Sequence, residues 1–143
     1  MKIKIFVVVL IVIFALGSFF IFRERGPSLK IGNEKISLII ADTPEKREKG
    51  LGDLQALPED SAMLFTFENP DAYGVWMKDM KFPIDIIWLD AAKKIITIKK
   101  DVSVESYPEI FYPEEKSLYV IETNAGFAEK NDLETGNTLD FSL

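Results

Sequence analysis

The distribution of apolar residues divides the chain into one long greasy run and a series of short alternating segments. From Ile5 to Phe22 there are 18 consecutive residues without a charge, nearly all Ile, Val, Leu or Phe. At ~1.5 Å per helical residue the run would span about 27 Å, close to the roughly 30 Å of bilayer hydrocarbon. Lys2 and Lys4 precede it, and Arg23 and Arg25 close it. This pattern predicts a single transmembrane helix within a signal anchor over residues 1–25. The rival is a cleaved signal peptide cut near Ala15-Leu16-Gly17, which would leave Phe19 and Phe20 close to the new terminus. Lys and Arg counts on the two sides do not favour the usual orientation. The short basic leader nevertheless suits export, so the expected location is the cell membrane, with the globular part extracytoplasmic.

After a brief Gly26-Pro27-Ser28 linker the segments become short and β-rich, and residues 26–143 read as one globular domain. Leu29 to Ile31 and Ile36 to Ala41 flank Gly32-Asn33, a hairpin signature. Thr43-Pro44-Glu45-Lys46-Arg47-Glu48-Lys49-Gly50 has a capping Thr, a Pro suited to the first helical position and a Gly suited to the exit, which predicts a short helix. Strands are expected at Met63 to Phe67, Asp85 to Asp90, Ile95 to Ile98, Ser117 to Glu122 and Thr138 to Leu143, with an antiparallel pair formed by 85–90 and 95–98. Phe127 to Asp132 reads as a helical turn, and residues 101–117 as a long irregular stretch. The expected class is α+β: a mostly antiparallel, curled or barrel-like sheet with two short helices, preceded by the transmembrane helix.

Charge and missing residue types narrow the chemistry. The chain carries −6; residues 1–25 hold four basic residues and one acid, leaving 13 basic and 22 acidic residues, a charge of −9, on the domain. That field repels phosphate backbones and argues against a nucleic-acid partner. With no His and no Cys, imidazole-dependent triads, thiolate catalysis, disulfides and iron–sulfur clusters are closed. No cofactor is implied, and no metal site: residues 131–137 hold acids and a Gly but fail the calcium-loop spacing.

Several segments, in order, resemble the conserved family called domain of unknown function 192. They are Ala41-Asp42-Thr43-Pro44-Glu45-Lys46 leading to Gly50-Leu51, Met63-Leu64-Phe65, Trp76-Met77-Lys78, Pro83-Ile84-Asp85-Ile86 and Ile121-Glu122-Thr123-Asn124-Ala125-Gly126. The resemblance covers about residues 29–143 and implies a compact, partly closed β-sheet domain, often exported, without an established activity or cofactor. The chain departs from the family pattern at Gly52, where Met is usual, at Asp79-Met80, where Asn-Thr is usual, and at Val75, where an aromatic is usual.

Candidate site residues come from two clusters. Between Tyr73 and Asp85 stand three aromatics, two methionines, two lysines and two aspartates; Trp76 would be a stacking wall, with Lys78 and Asp85 as convergent polar groups. The competing reading puts Trp76 and Met77 in the core and has Asp85 capping the Pro83 turn. Glu122 ends the apolar run Leu118 to Ile121, so it is expected to be partly buried, with Lys78 as its candidate partner. Glu122 and Asp85 could be an acid/base pair or hard-cation ligands, whereas with Asn124 Glu122 could simply organise the turn, Gly126 supplying a positive φ. The stretch Tyr107 to Tyr112 reads either as a lid or as a loop pinned by its aromatics. The function these features support is non-catalytic binding of a small polar ligand or an envelope partner in a cleft of Trp76, Lys78, Asp85, Glu122 and Asn124. The alternatives are a hydrolase or lyase that uses Asp85 and Glu122, and a structural accessory domain.

Overall fold

The structure is a computed structural model that describes residues 26–143. Nine strands and two short helices follow one another. They are β1 (Ser28–Ile31), β2 (Glu34–Ala41), α1 (Pro44–Lys49), β3 (Ser61–Asp71), β4 (Val75–Trp76), β5 (Ile84–Leu89), β6 (Ile95–Val102), β7 (Ile110–Phe111), β8 (Ser117–Asn124), α2 (Phe127–Lys130) and β9 (Asp140–Ser142), with a 3-10 turn at Val104–Ser106 between β6 and β7. The hairpin at Gly32-Asn33 forms as expected, pairing Ile31 with Glu34. So does the short helix: the Thr43 side chain accepts from the Lys46 N–H at 3.3 Å, Pro44 stands in the first turn, and Gly50 closes the helix at φ +50°. Gly126 takes the positive φ (+82°) foreseen for it and opens α2.

Seven strands form one sheet in the order β6-β5-β8-β3-β2-β1-β9, antiparallel except for β2 and β3. The chain just before β9 returns to the start of β6. Lys94 bridges Thr138, Ile95 exchanges backbone hydrogen bonds with Gly136 and Asn137 at 2.8 Å, and the Leu139 N–H donates to the Lys93 carbonyl at 3.0 Å. β9 itself pairs with β1, so the sheet closes on itself and leaves no free edge there. Lys93 fastens the seam, donating to the Phe141 carbonyl at 2.8 Å with its ammonium 4.3 Å from that ring's centre.

Closure creates two apolar layers. Inside the ring lie Leu29, Leu38, Leu64, Ile87, Ile121 and Phe141, drawn from six different strands. Outside it, Phe65, Ile86, Trp88 and Val120 are covered by Leu51, Leu57 and Met77 from the connecting segments. All six residues of β5 are therefore buried, which is why Ile84-Asp85-Ile86-Ile87-Trp88-Leu89 lacks polar alternation. Trp88 also ties the outer layer down, its indole N–H donating to the Tyr73 carbonyl at 2.8 Å.

The structure corrects the expected fold in one respect. Neither described helix exceeds six residues, about 9 Å of rise, and among the described residues no helix is long and apolar enough to cross a membrane. The run at 5–22, taken above for a transmembrane helix, lies outside the described residues. Over the described residues the fold is thus β-rich with two short helices, and the expected N-terminal transmembrane helix is not part of it. The irregular stretch 101–117 also holds more order than expected, since β7 pairs with β4 in a separate two-stranded ribbon.

Asp85 secures the end of the barrel. Its side chain is fully buried and accepts three backbone N–H bonds, from Ala128 at 2.8 Å, Gly126 at 3.2 Å and Asp101 at 2.8 Å. One carboxylate thereby fixes the α2 turn against β5 and the end of β6. Asp85→Ala strands three buried donors and is expected to cost about 3–5 kcal/mol, read from urea unfolding midpoints. A loss below ~1 kcal/mol would mean that water or a backbone shift satisfies those donors instead.

Candidate functional site

The outer face of the sheet determines where a site can form. In the paired register Glu122 stands between Met63 on β3 and Ile86 on β5, while Val120 stands between Phe65 and Trp88. Thr123 and Asp85 pair one step along, and successive strand residues point to opposite faces. Glu122 therefore faces the outer layer and Asp85 the barrel interior. The acid/base or cation-ligating pair considered from the sequence is not assembled, because the side-chain period of two places its members on opposite sides of one sheet. Among the described residues no three acidic side chains are grouped as metal ligands would be.

Over Glu122 the outer layer is incomplete and leaves an open cleft of about 300 Å³. Phe65, Val120 and Glu122 form its floor, the end of α1 one wall, and the segment from Tyr73 to Lys78 the other. Gly50 matters here for its lack of a side chain. A Cβ at this position would stand 3.6 Å from the Phe65 ring and 3.9 Å from Glu122 Oε2, narrowing the access to the floor. Its positive φ, dictated by the exit from α1, keeps that position small.

The walls pair rings with cations. Phe67 stacks on Tyr73 with centroids 3.4 Å apart, and the Arg47 guanidinium lies 5.0 Å from the Phe67 centroid. Arg47 also donates to the Thr66 carbonyl at 2.9 Å, which fixes α1 against β3. Opposite, the Lys78 ammonium lies 5.5 Å from the Trp76 ring centre. Trp76 is 40 % exposed, so it is a platform and not the core residue of the competing reading; Met77 beside it supplies the buried side chain.

Glu122 is the unusual group. It is only 5 % exposed, no hydrogen bond or ion pair joins it to another described residue, and Lys78 does not reach it. Among the described residues no fully buried side-chain polar atom lacks a partner, so the Glu122 oxygens open onto the cleft. The ion pairs Lys46–Asp42 and Lys49–Asp53 are exposed i,i+4 contacts along α1 and the turn after it. The expected Lys78–Glu122 pair is thus absent, because Lys78 lies over the indole at the rim. Burial alone pushes the Glu122 carboxyl up from 4.5 to about 8, so near neutral pH it is mostly the uncharged acid.

Of the five residues named from the sequence, Trp76, Lys78 and Glu122 converge on the cleft. Asp85 is occupied inside the barrel, and Asn124 spends its amide on the Leu57 and Pro58 carbonyls at 3.0 and 3.4 Å, holding the loop before β3. Arg47, Gly50, Phe65, Phe67 and Tyr73 were not foreseen. Alternation along Met63-Leu64-Phe65-Thr66-Phe67 was the available signal for Phe65 and Phe67, since it sets both on one face. The loop from Tyr107 to Tyr112 borders the site without lining it: Tyr107 meets Trp76 edge-on at 6.2 Å, and Ile110 and Tyr112 pack against Gly74.

Comparison with known proteins yields a family and a fold. The family DUF192, described as uncharacterized ACR, matches residues 28–141. A UPF0127 protein of Thermococcus gammatolerans is 28 % identical over 104 residues, covering 73 % of this chain and 65 % of the relative, so the chain spans just under two thirds of that protein's length. A crystal structure from Sinorhizobium meliloti 1021, described as a proposed transcription regulator, superposes with a TM-score of 0.73 at 26 % identity over 80 % of this chain and 91 % of that one. A protein of unknown function from Novosphingobium aromaticivorans superposes with a TM-score of 0.71 at 23 % identity, over 80 % and 82 % of the two chains, and shows the shared fold.

The raised Glu122 value carries a signed stability consequence. The folded state holds its proton up to about pH 8 and the unfolded state only to about 4.5, so stability falls as pH rises through that interval. Glu122→Gln, which keeps the shape without the ionisation, is expected to flatten that decline and to leave the variant more stable than the wild type at about pH 8. Urea midpoints across this range check it; an unchanged pH slope would show that Glu122 has found a charge partner.

Proposed function

The chain belongs to the DUF192 family, and from that membership, which supplies a fold without a chemistry, we propose that the domain is a non-catalytic receptor for a small polar molecule in the cleft above Glu122. One observation carries this reading: a polar side chain nine-tenths buried, without a partner and directed into an open space of about 300 Å³. Buried polar groups are normally satisfied, and a solitary one at the floor of a cleft is explained by an occupant that completes it. The space suits an occupant of small-molecule size. Its aromatic walls offer stacking area, and Arg47, Lys78 and Glu122 offer the few convergent polar groups that orient a ligand.

Two other readings have weaker support. A hydrolase or lyase that pairs Asp85 with Glu122 loses its pair, because Asp85 faces the barrel interior and Glu122 the cleft. The likeness to a proposed transcription regulator is not extended to nucleic-acid binding, because the domain's charge of −9 opposes a phosphate backbone.

Trp76→Ala tests the reading. Native mass spectrometry of the full-length chain is expected to show a retained small molecule in the wild type that is depleted in the variant. Because the indole is a rim platform, unfolding free energy should change by no more than ~1 kcal/mol. If wild type and variant retain the same molecules, or neither retains any, the receptor reading is lost and a structural accessory role takes its place.

A further inference from the structure

The charge pattern around the floor indicates what kind of molecule the cleft takes. An aromatic-lined site with a carboxylate at its base would ordinarily suggest a cation, held by ring faces and a negative charge. Here one face each of Phe67 and Trp76 already carries a cation, while Trp76 stays 40 % exposed. The Arg47 guanidinium lies over Phe67, whose ring is also stacked on Tyr73, and the Lys78 ammonium lies over Trp76. An incoming cation would have to displace or face both. Lys78 is also in no ion pair among the described residues, so its charge is left for a ligand.

We propose that the ligand is a small planar anion, an aromatic or unsaturated carboxylate, whose ring lies along Trp76 and whose carboxylate meets the Glu122 carboxyl at the floor between Arg47 and Lys78. The inference rests on the receptor reading above. In the complex the Glu122 O–H donates to a ligand carboxylate oxygen, and the proton stays on Glu122. The ligand's single negative charge lies between two cations, and a hydrogen bond to a charged acceptor is stronger than one to a neutral acceptor. Burial supports this state by keeping the Glu122 acid uncharged up to about pH 8. Other charged or titratable groups that face the cleft are Glu48 and Lys49 on α1 and Tyr73 on the wall; Lys49 is engaged with Asp53 at 2.7 Å. Against Glu122, β3 and β5 present only Met63 and Ile86.

Three probes of one shape and different charge decide the matter on the full-length chain: naphthoate, naphthamide and trimethyl(naphthylmethyl)ammonium, none of which changes charge between about pH 6 and 9. Binding is read by calorimetry and by the Trp76 indole N–H resonance. Naphthoate is expected to bind most tightly at about pH 6 and to weaken about tenfold at about pH 9, where roughly one tenth of Glu122 keeps its proton. Glu122→Gln, whose amide still donates, should bind naphthoate with no such pH dependence. Tighter binding of the ammonium or the amide at about pH 6, or naphthoate affinity independent of pH in the wild type, overturns the anion assignment and leaves the receptor reading standing. If no probe shifts the Trp76 resonance or gives binding heat at either pH, both fall.

Discussion

A sheet that closes into a ring and is then covered on its outside has to bury both faces of its central strands, and β5 and β8 do so. Any polar residue on them leaves water whichever way it points. Two carboxylates sit in this position, one step apart in register, and their fates differ because of what lies above each face. Asp85 points into the barrel end, where α2 and the end of β6 supply three backbone donors to its oxygens. Glu122 points outward to a place where the covering layer is incomplete, and no neighbouring group pairs with it. The site exists because of this asymmetry between two faces of one sheet.

The rest of the cleft follows from how the outer layer is held open. Arg47 fixes α1 to the Thr66 carbonyl, and Trp88 fixes the Tyr73 segment, so the two walls are anchored independently. Gly50 keeps the gap between them unfilled. The cations on the walls rest on rings and not on acids, which keeps them close to the site without neutralising them. A cleft of this kind has a positive rim above a floor that is uncharged at neutral pH, although the domain as a whole is strongly acidic.

Much of the architecture was legible in the chain. Thr43, Pro44 and Gly50 marked α1, Gly32-Asn33 the first hairpin, and the continuous apolar run at 84–89 a strand buried on both sides. Trp76 and Lys78 were legible as candidates from the density of aromatic and charged residues between Tyr73 and Asp85, and Glu122 from its place at the end of an apolar run. Their relation to one another was not. The Lys78–Glu122 pair was a reasonable inference from burial alone, yet it failed because the indole beside Lys78 offers a ring face at the rim without the cost of desolvating the ammonium. The Asp85–Glu122 pair failed on parity, which becomes visible only once register is known.

By itself, the sequence determined the local structure and the chemical limits of this protein: a capped first helix, turn glycines, alternating strands, and a chain without imidazole or thiol. These depend on residues a few positions apart, whose interactions persist in any compact state. Tertiary structure alone decided which side chains share a face, that the Gly136–Leu139 segment closes the barrel against β6, and that Arg47, Phe67 and Tyr73 line one cleft with Glu122 from three separate segments. These contacts join residues tens of positions apart, and one residue of register shift would send every strand side chain to the opposite face.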